Sequence, residues 1–572
     1  MTKAKNIFTS PDATVLLWLG LWWAVNILTA AFSELANDEA YYHMFAQRLA
    51  WGYFDHPPVT TLLVWLGEHL FGGELGVRFF FTLLQPCYLW LFWRIIRPAD
   101  ADCRDARLYS MICAAMLVLQ LYGFIAVPDG PLLWSSVIFL AAFKAFADER
   151  RWSWLWLGLS IGLMAYCKYQ GALVLIFTLL ANVKWFFERP RRIVRLFAGG
   201  VVALLCIVPH LVWQYRHDWA SFAYHLSGRN GSFSISNITD FLVNMAVVFS
   251  PFYLPLWVQA YRKVQAETPV ERALKLFPPA FIIFFTASAV RGYVQPQWAI
   301  AAVFGLVWIL FAYARRHPRT RRFVMGAGLA TLILIALVRI EMIFNPIGLR
   351  FEVFDNRTSY GQIAEAAAGR PVVFDSSYAT AAKYMFYADT DLTFSQPNVE
   401  HRTSEWQFRD NDRRFAGRDV LVQVNPSRHA GEEVSTLHLP NGRDFSYKII
   451  EDFKPVREVS ATLQDELPVS AHRGDSLHFA LELHNPYGYD IHVDGRTLRL
   501  DMLWCRRREP CRSVSLTDSL TLPAGGTVVV GCRTAVPDDL GAADYTVGFA
   551  VRHKDMYTWF GGKPVQMVIE DE

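Results

Sequence analysis

Apolar residues crowd the first 345 positions of the chain and thin out after them. A hydrocarbon core about 30 Å thick needs roughly 20 apolar residues per helix, and about eleven segments answer to that length. They centre near 13–33, 76–97, 107–127, 131–147, 153–168, 170–187, 196–215, 241–261, 275–290, 297–314 and 323–343. Neighbouring segments such as 107–127 and 131–147 read as hairpins, here around the turn Val127-Pro128-Asp129-Gly130-Pro131. The first run, Thr14 to Ala31, is too long for a signal-peptide core and reads as the first span. Its N-terminus is held inside by Lys3 and Lys5.

The basic residues test this tracing independently, because cytoplasmic loops collect Lys and Arg. Counted from an inside N-terminus, the inside loops hold Arg94, Arg97 and Arg104, then Arg150 and Arg151, then Arg189, Arg191, Arg192 and Arg195. Arg262 and Lys263 follow, and finally the run Arg315 to Arg322. The alternate loops are poorer in basic residues. An odd number of crossings leaves everything after about Asn345 outside, which predicts an inner-membrane protein with a periplasmic C-terminal region.

Beyond that point the pattern changes. Residues 345–455 alternate short strands with helix: Pro371 to Asp375 reads as a buried strand, and Ala379 to Tyr387 as a helix. From 456 to 572, β-branched alternation and turn residues dominate, as in Leu477 to Leu483 and Gly526 to Val530, and suggest a small β-sandwich. The expected architecture is an α-helical polytopic membrane domain over 1–344, an α/β domain over 345–455 and a β-sandwich over 456–572. Composition agrees: 53% of residues are hydrophobic, 15% aromatic and 19% charged, where soluble domains run about 25% charged. The net charge of +3 gives no sign of a nucleic-acid partner. Cys505, Cys511 and Cys532 lie in the exported part, where an oxidising compartment allows one disulfide among them.

The candidate chemistry gathers in the first outside loop, 34–77, which reads as two short amphipathic helices at the membrane surface. The first contains Asn37-Asp38-Glu39-Ala40-Tyr41-Tyr42, and the second starts after Tyr53-Phe54-Asp55-His56-Pro57-Pro58. Paired prolines suit a helix start, and Asp55 then lies beside the positive end of that helix. A sugar-transfer step needs a carboxylate to take the proton of an acceptor hydroxyl. Asp38 shares a helical face with Tyr41 and Tyr42, and rings beside a carboxylate suit a sugar. The plain alternative is that Asp38 and Glu39 only cap a surface helix. Asp129 sits in a turn where turn-forming alone would explain it, although charge at the membrane edge is costly unless used. Lys168 at a span end has snorkelling as its plain reading. Arg216, His217, Arg229 and Arg291 fall on outside-facing segments, where the positive-inside rule does not explain them. Trp and Tyr near the span ends are most simply interfacial anchors.

The segments Asp38-Glu39-Ala40-Tyr41-Tyr42 and Tyr53-Phe54-Asp55-His56-Pro57-Pro58 resemble the first-loop signature of the protein-mannosyltransferase and aminoarabinose-transferase group of GT-C glycosyltransferases. Pro128-Asp129-Gly130-Pro131-Leu132 is similar to that group's second acidic motif, and Lys168-Tyr169 with Gly171 to its lysine motif. His217-Asp218-Trp219 with Ser221-Phe222, and Gln295-Pro296-Gln297-Trp298, resemble further bacterial members. The resemblance covers the membrane part, about three-fifths of the chain. It implies a GT-C fold and an inverting transfer of a sugar from a polyprenyl phosphate to an acceptor on the outer side of the membrane. Asp38 then matches the catalytic aspartate, Asp129 the second acidic position, and Lys168 the lysine that reaches the donor phosphate. Glu39 joins the catalytic set. Tyr41, Tyr42, Tyr169, Arg216, His217, Arg291 and Gln297 join the substrate-binding one. His56 stands where aminoarabinose transferases carry a phosphate-binding lysine, and Asp55 where they carry a metal-binding glutamate. No metal is assumed, and a divalent cation near Asp55 is an open expectation. The expected partners are the bilayer, a polyprenyl-phosphate sugar donor and a glycolipid or glycan acceptor. Lipid A or lipopolysaccharide is the favoured acceptor, with secreted protein second. A transporter of lipid-linked sugars is the alternative from another class. Transporters place ionisable residues deep in the bilayer and show matching halves, whereas here the acids cluster at the edge.

Overall fold

The computed structural model describes residues 10–226, 234–375, 377–429, 431–556 and 559–570, so Lys3, Lys5 and Arg229 lie outside the described residues. The chain divides into two compact units, Met1–Leu349 and Arg350–Glu572.

The first unit is helical. Its elements are α1 (Pro11–Phe32), α2 (Asn37–Ala46), α3 (Val59–Glu68), α4 (Gly73–Ile96), α5 (Cys103–Ala114), α6 (Leu117–Leu121), α7 (Asp129–Ala147), α8 (Ser153–Cys167) and α9 (Gly171–Ala181). There follow α10 (Val183–Phe187), α11 (Pro190–Arg216), α12 (Ala220–Leu226), α13 (Ile235–Phe249), α14 (Leu254–Lys263), α15 (Pro269–Ala289), α16 (Ala302–Arg316) and α17 (Pro318–Phe344). Helix starts follow local chemistry. The Ser10 hydroxyl accepts from the Ala13 N–H at 3.1 Å to cap α1, and Pro11 takes the first position, where a missing N–H costs nothing. Asp102 with Asp105, and Thr268 with Glu271, form reciprocal capping boxes at α5 and α15.

Each apolar segment read from the sequence carries helix, but six helices are individually long and apolar enough to cross a membrane: α1, α4, α7, α11, α15 and α17. The others depart from single straight spans. The segment 107–127 breaks after Ala114, and the Gln120 side chain donates to the freed Ala114 carbonyl at 2.7 Å. The segment 170–187 breaks at Asn182, whose amide donates to the carbonyls of Thr178 and Pro269. The expected span 241–261 is bent by 91° between α13 and α14, where Ser250 takes φ +125° and Pro251 removes a helical donor. Helix α16 covers only about 22 Å at 1.5 Å per residue; all but a few of its side chains are buried.

Ion pairs at one end of the bundle join the basic turns. Arg97 meets Asp12, Arg315 and Arg321 share Asp105, and Arg189 meets Glu149. At the opposite end lie the C-termini of α1, α8 and α11 and the N-termini of α4 and α7.

In the second unit, strands Thr393–Ser395, Val372–Phe374, Arg418–Gln423, Asp444–Phe453 and Ser435–His438 form one sheet in that order. The first three run parallel and the last two pair antiparallel, with helices Asn356–Ala367 and Tyr378–Tyr387. Beyond residue 456, sheets of five, three and two strands follow. Strand Ser476–His484 buries Leu477, Phe479, Leu481 and Leu483 on one face, as its alternation demands. Cys505, Cys511 and Cys532 are free thiols in the structure, not a disulfide pair with one left over.

Candidate active site

The first loop is fixed by one arginine. Arg78, in the second turn of α4, donates from Nε and Nη2 to both oxygens of Glu39, each at 2.6 Å. Its remaining N–H groups reach the carbonyls of Ala30, Ser33 and Glu34 and the Ser33 hydroxyl. Glu39 accepts two further bonds, from the backbone N–H of Ala126 at 2.8 Å and of Ala36 at 2.9 Å. A carboxylate has about four acceptor positions, and all are taken. Glu39 is fully buried. Expected beside Asp38 as a catalytic acid, it serves instead to tie α1, α2, α4 and the turn before α7 into one level.

Asp38 precedes it in the first turn of α2, and its side chain is exposed. Three positions beyond Ala126, whose N–H anchors Glu39, Asp129 is the first residue of α7, and Lys168 caps the C-terminus of α8. Each charge complements the dipole of the helix end that carries it. Their side chains meet at 2.7 Å, and both residues are 4% exposed. Tyr122, on the turn between α6 and α7, lies within electrostatic reach of both Asp38 and Asp129. Asp38, Tyr122, Asp129 and Lys168 therefore lie at the same end of the bundle.

A second polar chain runs alongside. His210 Nδ1 lies 2.7 Å from the Trp51 carbonyl, so that nitrogen carries the proton, and Nε2 accepts from the Tyr169 hydroxyl at 3.0 Å. The Gln214 amide donates to Tyr169 at 3.2 Å and to the Ser221 hydroxyl at 2.7 Å, and Ser221 donates to the Tyr53 carbonyl at 2.7 Å. Gly52 gives the loop room here: a Cβ would stand 2.5 Å from the Trp213 ring. Burial, then the negative charge of Asp55, pushes the Tyr169 phenol up, so it stays a neutral hydroxyl. His225 Nε2 donates to the Asp55 carbonyl at 3.0 Å, and the His56 ring stands between Tyr42 and His225. The loop carrying Asp55 and His56 is thereby joined to the segment after Lys168.

Other expected site residues sit differently. Tyr41 and Tyr42 are 1% and 2% exposed, with Phe45 against both rings and His56 against Tyr42. They pack the loop and do not offer an open ring face. Arg216 is exposed at the end of α11, and His217 stacks on Trp213 at 4.1 Å. Arg291 follows α15 and is exposed, and Gln297 lies in the 3-10 turn Pro296–Ala299. Among the described residues, neither Arg291 nor Gln297 bonds to the Asp129–Lys168 pair. Arg78, Tyr122, His210, Gln214 and His225 were not picked out from the sequence, and Ser221 was noted only within a motif. A charge in the opening turns of an apolar helix, and a histidine inside another, were the signals available for Arg78 and His210.

A family model described as dolichyl-phosphate-mannose-protein mannosyltransferase matches residues 55–213. The lipopolysaccharide core galacturonosyltransferase RgtA of Rhizobium johnstonii is 29% identical over 191 residues, which are 32% of this chain and 37% of RgtA. The match thus spans little more than a third of that relative's length. Among solved structures, ArnT from Cupriavidus metallidurans superimposes with a TM-score of 0.57 at 14% identity, covering 76% of this chain and 97% of that one. The same protein bound to undecaprenyl phosphate gives 0.56 at 15% identity over the same shares. Motif order, sequence match and fold agree: the chain has the polytopic helical GT-C membrane fold, and its residues 55–213 are similar to the protein-mannosyltransferase family.

Proposed function

We propose that this chain is an inverting glycosyltransferase of the bacterial inner membrane, moving a hexosyl or pentosyl group from polyprenyl (undecaprenyl) phosphate to lipopolysaccharide on the periplasmic face. The observation that carries the reading is the buried Asp129–Lys168 pair at the end of the bundle where the exposed carboxylate of Asp38 stands, with Tyr122 within electrostatic reach of both acids. Asp38 takes the proton of an acceptor hydroxyl as its oxygen bonds to the sugar's anomeric carbon. The carbon–oxygen bond to the carrier phosphate breaks on the opposite face, inverting the centre. Negative charge grows on the departing phosphate, and Lys168, turned from Asp129 toward it, stabilises that charge more in the transition state than in the ground state. His56 assists at the phosphate. The undecaprenyl phosphate bound by ArnT supports the donor class, and the RgtA match supports the acceptor class.

The basic turns at the opposite end support an N-terminus on the cytoplasmic side, with the second unit on the periplasmic side. Acids at one end, not at mid-span, favour an enzyme over a transporter of lipid-linked sugar. A protein acceptor is the second reading, favoured by the description of the matching family model. Asp55 and His56 are the residues that would hold a divalent cation. Among the described residues Asp55 belongs to no cluster of three metal-donor side chains, and the transfer routes no step through a metal, so turnover is expected to survive EDTA.

The test is purified Asp38→Asn in proteoliposomes, with turnover and donor binding measured together. Loss of turnover by about 10²–10⁴-fold with donor binding kept is the expected result. Turnover near the unaltered protein's would remove Asp38 from the reaction. Mass spectrometry of envelope glycolipids and glycoproteins, with and without the gene, decides between the two acceptors.

A further inference from the structure

A second polar centre lies inside the bundle, away from the reaction residues. Arg339 of α17 is buried five positions before the helix end, about 7.5 Å along the axis. Its guanidinium donates to the Thr29 hydroxyl at 2.7 Å, the Asn26 amide oxygen at 2.8 Å and the Gln120 amide oxygen at 2.9 Å. All three are neutral. Among the described residues no carboxylate lies within ion-pair distance of it, so a full positive charge stands in the membrane part without a counter-charge, a costly arrangement unless it is used.

That charge heads a cavity of about 230 Å³ between α1, α5 and α17, lined by Trp18, Trp22, Val25, Ser110, Ala336 and Arg339 among others. Its wall opens outward: Leu21 and Val25 are 58% and 45% exposed. Two residues of its lining carry a buried hydrogen-bond donor without a protein partner, the indole Nε1–H of Trp22 and the hydroxyl of Ser110, a residue only 5% exposed. Trp22 lies about one helical turn along α1 from Asn26, which holds Arg339. The sequence of groups is therefore a cation, then two neutral donors, then an apolar trough. That order matches a glycerophospholipid: an anionic phosphate, two ester carbonyls and an acyl chain. A polyprenyl phosphate has no carbonyl to offer the two donors.

We infer that this groove binds one anionic glycerophospholipid of the surrounding bilayer, its phosphate on Arg339, its ester carbonyls on Trp22 and Ser110, and a chain past Ala336 along Trp18 and Leu332. The groove's arginine and the anchor of the first loop share one neighbour. The Phe124 ring has Arg339 on it at 5.1 Å and Arg78 at 5.9 Å. An occupied groove thus braces the turn that carries Tyr122 toward Asp129.

Native mass spectrometry of the full chain, released from mixed nanodiscs, reads this directly and needs no turnover, so it stands apart from the glycosyl-transfer reading. The expected result is one retained phosphatidylglycerol per chain, preferred over phosphatidylcholine by about five- to tenfold. Arg339→Gln should lose the preference. Ala336→Trp, which fills the trough while sparing the polar network, should lose the retained lipid, and Leu205→Trp on the exposed face of α11 should keep it. Equal retention of the two lipids would overturn the inference, as would phosphatidylglycerol kept by Ala336→Trp. Retention of undecaprenyl phosphate in preference to phosphatidylglycerol by the unaltered protein, lost in Ala336→Trp, would also overturn it, by making the groove a carrier site.

Discussion

The first unit holds two buried carboxylate–cation pairs a short distance apart, Glu39–Arg78 and Asp129–Lys168, and they are built in opposite ways. Glu39 fills every acceptor position, and Arg78 spends its other N–H groups on three residues besides. Among the described residues, Asp129 and Lys168 make one bond to another side chain, to each other. The first pair has no capacity left for a substrate, whereas the second keeps an oxygen and two N–H groups that a donor can use. Burial and pairing are common to both, so neither identifies chemistry. The count of unfilled hydrogen-bonding positions does.

This contrast can be broken by experiment. The largest effect is expected at Arg78→Ala, which strands a buried carboxylate: a loss of about 3–5 kcal/mol in unfolding free energy, read by denaturation in detergent. Adding Glu39→Gln should recover part of it. A double variant no more stable than Arg78→Ala would show that Arg78 acts through packing alone. Lys168→Gln should lower turnover by about a hundredfold or more, as expected for loss of an electrostatic stabiliser, while the protein still folds. A stability loss as large as that of Arg78→Ala, with turnover per folded molecule unchanged, would make the two pairs alike. Smallest is Tyr169→Phe, which removes one hydrogen bond to His210 and one from Gln214, at about 0.5–1.5 kcal/mol each. The same thermal measurement resolves it, with donor affinity shifted little.

Much of the helical unit was legible in its apolar blocks, because membrane helices must satisfy their backbone internally and so declare themselves by length. The breaks were less so. Pro251 marks one, and the reading of 241–261 as a single span passed over it. The breaks at Ala114 and Asn182 have no proline. They persist because the Gln120 and Asn182 amides satisfy freed carbonyls, which depends on the fold and not on local pattern. In the second unit, the strand at Val372–Phe374 and the helix Tyr378–Tyr387 fall within a residue or two of the sequence reading. At the site, motif order singled out Asp129 and Lys168, which meet. It also put Glu39 with the reacting acids and Tyr41 with the sugar. A helical face says which residues are neighbours, not which of them face inward, and only Arg78 and Ala126 disclose that Glu39 faces the protein.

The knot at Arg78 also orders events during synthesis. Its donors and acceptors come from residues 30 to 39, from 78 and from 126. While the ribosome has delivered only the first hairpin, Glu39 lacks the amide of Ala126, and the loop has no reason to hold its final shape. A nascent chain stopped before the third crossing is therefore an open substrate for proteases at residues 34–72. The same loop closes to them once the turn at 126 arrives.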